Sequence, residues 1–386
     1  MLRSSPRRTL QSGEGSVSTD VPGDSLEVAS IDALPQELLC AIFSLLYDDH
    51  DRRLSASIIL SHVCRRWREL VLDLPRLWTD VRIAAYAPEV LEDILLRSKG
   101  RALSICLYLP EPIRESATFA LWKTVIMLAP EMKRCRSLHI SAFKSVYKLI
   151  FNAFGYEVDA PLLRHLKLHC RDAKSSDKEC LLMRSVVFKH SFLTHVDLDG
   201  VAIPSAIDLS RVRTMNLRNV NFSAPGNFFS DNALERLRLS STTIPWGHEM
   251  VAPRLAHLTL DRQLPVPFCN AQWTTPALTS LTISRPSRVE LYHLERCLRD
   301  PFALRLFANL TNLTLAHCDT ELMAKLVGIC ALMQATPELR RLNFDGARPE
   351  PILEGSRGYS AGWPHLVDIY VGGVRFNGQG TGASTV

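Results

Sequence analysis

His169 and Cys170, with Cys180 ten residues on, and the pair His317-Cys318 are the side chains whose types suit a transition metal. Neither group has the paired C-x-x-C spacing that closes a tetrahedral zinc site, so no metal is expected. The sequence holds no G-x-x-x-x-G-K-[ST], no H-E-x-x-H, no G-x-S-x-G and no EF-hand loop, so no catalytic residue and no cofactor are assigned. Arg65, Arg66 and Arg68 around Trp67 have the composition of a nucleic-acid patch. Helical spacing puts Trp67 on an apolar stripe with Val63, Cys64 and Val71, where it is not free to stack on a base. Nucleic acid is therefore not an expected partner. Asp48, Asp49 and Asp51 beside Arg52 and Arg53 read as a solvated turn between helices.

The remaining polar residues at a regular spacing lie in a repeated phrase. It runs Leu163-x-x-Leu166-x-Leu168, Leu193-x-x-Val196-x-Leu198, Val212-x-x-Met215-x-Leu217, Leu234-x-x-Leu237-x-Leu239 and Leu255-x-x-Leu258-x-Leu260. Four more copies start at Leu278, Leu310, Leu339 and Leu366, and Ser137-Leu138-His139-Ile140 is a weaker first copy. In a strand the second and third anchors point to one face and their neighbours to the other. One unit cannot bury its leucines alone, whereas stacked units enclose a continuous apolar interior. The phrase resembles the strand segment of leucine-rich repeats, which implies a solenoid with one curved parallel sheet. On it Lys167, His169, Asp197, Asp199, Asn216, Arg218, Arg236 and Arg238 form a candidate substrate-binding face. Arg218, Arg236 and Arg238 are its best cluster, suited to a carboxylate-rich or phosphorylated peptide.

The chain has 386 residues, 46% of them hydrophobic and 22% charged, a composition that excludes wholesale disorder. A net charge of +5 over 45 basic and 40 acidic residues is too mild to argue for a polyanion. Ten scattered cysteines imply a reduced compartment, cytoplasmic or nuclear, and the absence of an apolar run of spanning length argues against a membrane.

The stretch from Ile31 to Val81 is organised differently. Leu38, Ile42, Phe43 and Leu46 fall at helical spacing behind Pro35, and Leu60, Val63, Cys64, Trp67 and Val71 form a second stripe. Two or three short helices of this kind cannot hide all the apolar surface they carry. Leu34-Pro35-x-Glu37-Leu38-Leu39, then Ile42, Phe43, Leu46 and Val63-Cys64-Arg65-Arg66-Trp67, resembles an F-box, and Leu74-Pro75-x-Leu77-Trp78 resembles the form found in the F-box families of mushroom-forming fungi. The resemblance implies a three-helix module docking on the Skp-type adaptor of a cullin ubiquitin ligase, with Leu34, Pro35, Leu38, Ile42, Phe43, Leu46, Val63, Cys64 and Trp67 in contact. The rest of the chain would then bind the substrate protein. A repeat-based scaffold without a ligase role is the alternative.

The expected fold is mixed: a small all-α F-box-like module followed by an α/β leucine-rich-repeat-like solenoid. Its divisions are a disordered arm over 1–30, the module over 31–81, a connecting segment over 82–136, the repeats over 137–372 and a flexible Gly-rich tail over 373–386. Within them Pro88 to Ser98 and Ala117 to Leu128 read as helices, Leu103 to Leu107 as a strand, and Glu321 to Gln334 as an outer helix.

Overall fold

The computed structural model describes residues 31–49, 53–83, 88–109, 115–155, 157–172, 187–201, 208–220, 233–242, 250–262, 273–287, 289–290, 292, 294, 296, 305–317, 334–345, 363–371 and 374–377. The expected arm, residues 321–333 of the helix expected over Glu321 to Gln334, and the end of the tail lie outside them.

Among the described residues three α-helices come first: α1 (Gln36–Asp49), α2 (Arg53–Ser61) and α3 (Arg65–Asp73). The stripe expected on one helix from Leu60 to Val71 is thus divided between two. Ser61 turns its hydroxyl back onto the Ile58 carbonyl at 2.7 Å, a bond that competes with the helix ladder. Cys64 is extended (φ −153°) and its Sγ accepts the Trp67 N–H at 3.4 Å, starting a new helix. Asp48 and Asp49 continue α1 rather than forming a turn, and Arg53 already begins α2.

Next come β1 (Asp80–Ile83), α4 (Pro88–Arg97), β2 (Leu103–Tyr108), α5 (Glu115–Leu128), β3 (Cys135–Ala142) and α6 (Lys144–Phe154). The strands that follow are β4 (Glu157–Asp159), β5 (His165–Cys170), β6 (Val187–Lys189), β7 (His195–Asp199), β8 (Thr214–Arg218) and β9 (Arg236–Ser240). The last are β10 (Met250–Val251), β11 (His257–Asp261), β12 (Trp273–Thr274), β13 (Ser280–Ser284), β14 (Asn312–Ala316), β15 (Arg341–Asp345), β16 (Asp368–Val371) and β17 (Val374–Asn377).

Among the described residues thirteen strands form one open sheet in the order β1-β2-β3-β5-β7-β8-β9-β11-β13-β14-β15-β16-β17. All its pairings are parallel except the last, β16 with β17. Every copy of the repeated phrase occupies a successive strand of this sheet. The middle anchors pair in register, Leu166 with Val196, Met215, Leu237, Leu258, Leu281, Leu313, Leu342 and Ile369 in turn. These anchors are buried except for the half-buried Ile369, so one apolar ladder runs across the sheet.

Two boundaries differ from expectation. The sheet begins at Asp80 rather than near 137, because Val81, Ile83, Ile105 and Leu107 alternate inward and join the same ladder. Part of the tail is ordered as well: Val374–Asn377 folds back antiparallel, and Arg375 binds the Asp368 carboxylate at 2.5 Å.

Two local devices recur at the strand ends. An x-Pro-x-Leu turn precedes strands at Leu74-Pro75-Arg76-Leu77, Ala160-Pro161-Leu162-Leu163, Ala252-Pro253-Arg254-Leu255, Thr275-Pro276-Ala277-Leu278, Thr336-Pro337-Glu338-Leu339 and Trp363-Pro364-His365-Leu366, and Ala129-Pro130-Glu131-Met132 makes the same turn with methionine. In each the last N–H donates to the first carbonyl at 3.0–3.3 Å, and proline pre-sets the turn dihedral. At the strand exits Gly200, Asn219, Ser241, Arg262, Arg285 and His317 all have positive φ. Only Gly200 adopts this conformation without a side-chain penalty. The others are held there by lateral bonds such as Asn219 N–H to Ser240 O and Arg262 N–H to Ser284 O, both 2.9 Å.

The turn at Leu74–Leu77 lies within the stretch that resembles an F-box, so the helical unit runs directly into the sheet. Trp78 donates its indole N–H to the Val71 carbonyl at 2.9 Å, and the Arg97 guanidinium lies 4.9 Å above its ring. A single buried cluster extends from Leu39 and Phe43 through Leu77 and Trp78 to Leu366.

Candidate functional site

Leu38, Ile42, Leu45 and Leu46 follow one face of α1 at helical spacing. Leu38 is 51% and Leu45 69% exposed, while Leu39, Phe43 and Tyr47 take the opposite face into the core. Ile58 and Ile59 on α2 and Val63 in the turn add to the apolar surface, with Ile59 65% exposed. Exposed leucines and isoleucines grouped on one helical unit are costly in water.

Of the residues expected to meet an adaptor, Pro35, Leu38, Leu46 and Val63 are exposed and Leu34, Ile42, Cys64 and Trp67 half-buried. Phe43 is the correction: it is fully buried with its ring 4.8 Å from that of Trp67, so it holds α1 to α3 and offers no surface. The Trp67 indole N–H is buried without a partner, which also makes this residue part of the packing. Arg66 donates to the Leu34 carbonyl at 2.6 Å and pins the start of the unit onto α3. Leu45, Ile58 and Ile59 were missed. Leu45 lies seven residues after Leu38, and that spacing alone could have found it.

On the sheet, parallel register lines the outward residues into lateral rows. Lys167, Asp197, Asn216 and Arg238 are consecutive in one row, and His169, Asp199 and Arg218 in the next. Lys167 Nζ lies 3.3 Å from Asp197 Oδ2. Asp199 receives Arg218 at 3.4 Å and Asn219 at 2.8 Å, and its side chain is only 14% exposed. Asp261 repeats the device: it is buried, takes Arg285 through both oxygens at 2.7–3.0 Å, and lies 3.9 Å from Arg238. The acidic residues at strand ends thus anchor the positive-φ residue of the next unit. The expected cluster of Arg218, Arg236 and Arg238 is not a free trio, since two of its members face carboxylates. Arg236 is exposed.

Two contacts on these rows combine nucleophilic residue types. Cys106 Sγ lies 3.5 Å from His139 Nδ1. Burial raises the thiol and lowers the imidazole, which favours the neutral pair and opposes thiolate formation. Ser141 Oγ lies 3.4 Å from His169 Nδ1, and His169 Nε2 3.6 Å from Asp199. The types are those of a hydrolytic triad, but Ser141 is buried beneath the face and Asp199 is already held by Arg218 and Asn219. Sequence reading could not have found this row, because its members come from β3, β5 and β7. Among the described residues no group of three or more His, Cys, Asp or Glu is placed to hold a metal ion. Among the same residues no helix is long and apolar enough to cross a membrane.

Among curated proteins, none matches this chain. Residues 31–84 match the family model described as F-box-like, which spans the three helices, the Leu74–Leu77 turn and β1.

Proposed function

We propose that this protein is the substrate-recognition subunit of an SCF-type E3 ubiquitin ligase. The F-box-like region docks on a Skp-type adaptor, and through it on a cullin. The sheet, taken as a leucine-rich-repeat-like solenoid, presents its outward face to a substrate protein, and the chain itself is non-catalytic. The observation that carries this reading is the coincidence of the F-box-like match with apolar residues left in solvent on the same unit, chiefly Leu38, Leu45 and Ile59. A few such anchors dominate protein interfaces, each contributing about 2 kcal/mol or more. The unpaired face of α1 and the fixed junction at Trp78 suit a module that holds a second surface at a set orientation to its partner.

The test is co-expression with a Skp-type adaptor and affinity capture. Wild-type protein should retain the adaptor, and Leu38→Asp with Leu45→Asp should lose it while melting at the wild-type temperature. Leu34→Ala with Pro35→Ala should weaken capture less, since Leu34 is half-buried and its carbonyl is tied to Arg66. Failure of the intact protein to hold any adaptor would leave a repeat-based scaffold as the reading.

A further inference from the structure

The start of strands β3 to β9 forms an edge with a composition of its own. Arg136 and Arg164 are lateral neighbours, joined by the Arg164 N–H donating to the Arg136 carbonyl at 2.9 Å, and both side chains are exposed. One residue further in, His165 and His195 pair in register with ring centroids 4.7 Å apart. Arg236 continues the same row two strands away, beyond Thr214. On the turn side, Phe192 is 45% exposed and the Arg211 guanidinium lies 4.6 Å above its ring.

Among the described residues the acids near this edge are Glu235 and Asp208, the latter held below its usual range first by Ser210 and in part by the Arg211 guanidinium. Glu235 lies 3.9 Å from Arg213, and among the described residues no ion pair to a carboxylate engages Arg136, Arg164, Arg211 or Arg236. This differs from the rows further along the strands, where Asp197, Asp199 and Asp261 answer the neighbouring cations. The crowding of positive groups also acts on His165, whose pKa is lowered by burial and then by His195, Arg136 and Arg164. The four thus share one local field.

We infer that this edge binds an extended acidic segment of a substrate protein, its carboxylates or phosphates meeting Arg136, Arg164 and Arg236 and a bulky apolar side chain resting against Phe192. Arg136 and Arg164 stand on adjacent strands, about 4.8 Å apart, and Arg236 lies three strands beyond Arg164, so each can take a different anionic side chain of an extended chain. The exposed ring supplies the apolar anchor that a purely ionic contact lacks. The inference rests on the substrate-receptor reading, and moves the binding site from the middle of the face to the strand starts.

The test is fluorescence anisotropy on the full chain with labelled peptides: a Glu-rich peptide carrying one Phe, its phosphoserine counterpart, a neutral Gln-rich version and a Lys-rich version. The acidic peptides should bind at least about tenfold tighter than the neutral one, with affinity falling steeply as salt rises from about 50 to about 300 mM. Arg136→Glu with Arg164→Glu should abolish that preference, and Phe192→Ala should weaken both acidic peptides without changing the salt dependence. Arg340→Glu, on the same lateral row far along the sheet, should bind as wild type. If the double charge reversal does not fold, Arg136→Gln with Arg164→Gln should still flatten the salt dependence. Equal binding of acidic and neutral peptides, or an unaltered double variant, would overturn the inference. Preference for phosphoserine over Glu would identify phosphate as the anion. Adaptor capture, measured on the same preparations, is independent of these peptides, so loss of one result leaves the other standing.

Discussion

Ser57 in α2 donates its hydroxyl to the Leu77 carbonyl at 2.8 Å, and both residues are fully buried. This bond joins the helical unit to the turn that opens the sheet. Ser57→Ala should therefore cost about 1–2 kcal/mol of global stability, because a buried acceptor loses its donor. In urea unfolding, far-UV circular dichroism and tryptophan fluorescence should shift together. A shift in the helical signal alone would show that the unit unfolds separately from the sheet.

Leu258 sits in register between Leu237 and Leu281 and is 1% exposed. Leu258→Asp places a carboxylate in the apolar ladder without a partner, and should destabilise by more than about 4 kcal/mol, enough to prevent soluble expression. Thr259→Asp, one residue along and half-buried on the outward row, should be tolerated. Equal melting temperatures for the two variants would contradict the ladder.

The Thr275 hydroxyl is buried with no hydrogen-bond partner, in the turn that leads to Leu278. Thr275→Val keeps the shape and removes the orphaned group, so the melting temperature should hold or rise, by up to about 1 kcal/mol of added stability. A loss of that size would mean that the hydroxyl has a partner in solution.

Cys135 is fully buried, and burial pushes its thiol up to about 12. Only the thiolate reacts with alkylating agents, so folded protein at neutral pH should show Cys135 unmodified by iodoacetamide in peptide mass spectra. Cys64, half-buried at the helix start, should label before Cys135. Rapid labelling of Cys135 before unfolding would contradict the packing around β3.

Burial, helped by nearby Lys167 for His139 and by His195 for His165, lowers the pKa of both imidazoles in the folded chain. Above about pH 6.5 these side chains are neutral folded or unfolded, and they add no pH dependence. As pH falls below that value the unfolded chain takes up protons first, so stability should decline. His139→Gln with His165→Gln should flatten this part of the stability curve between about pH 6.5 and 5, read as urea midpoints. An unchanged slope would mean that other groups carry it.

The strands were legible in the sequence because their signal is local. Leu-x-x-Leu-x-Leu places its anchors on one face of a strand wherever it lies, and copies of one phrase stack in the register that superposes those anchors. The helical stripe behind Pro35 was legible for the same reason, and Leu45 was available to it. The x-Pro-x-Leu turn was also present, and would have shown that Leu74–Leu77 and Ala129–Met132 introduce strands of the same sheet.

What each polar or aromatic side chain touches was decided by the tertiary structure. Phe43 and Leu46 are only three residues apart in α1, yet Phe43 is buried and Leu46 exposed, because Trp67 from α3 covers one and nothing among the described residues covers the other. Arg218 and Arg236 have the same residue type on adjacent strands, yet Asp199 faces only Arg218. Those partners arrive from elements some twenty or more residues away. Periodicity within one strand carries no information about what the neighbouring strand brings alongside it.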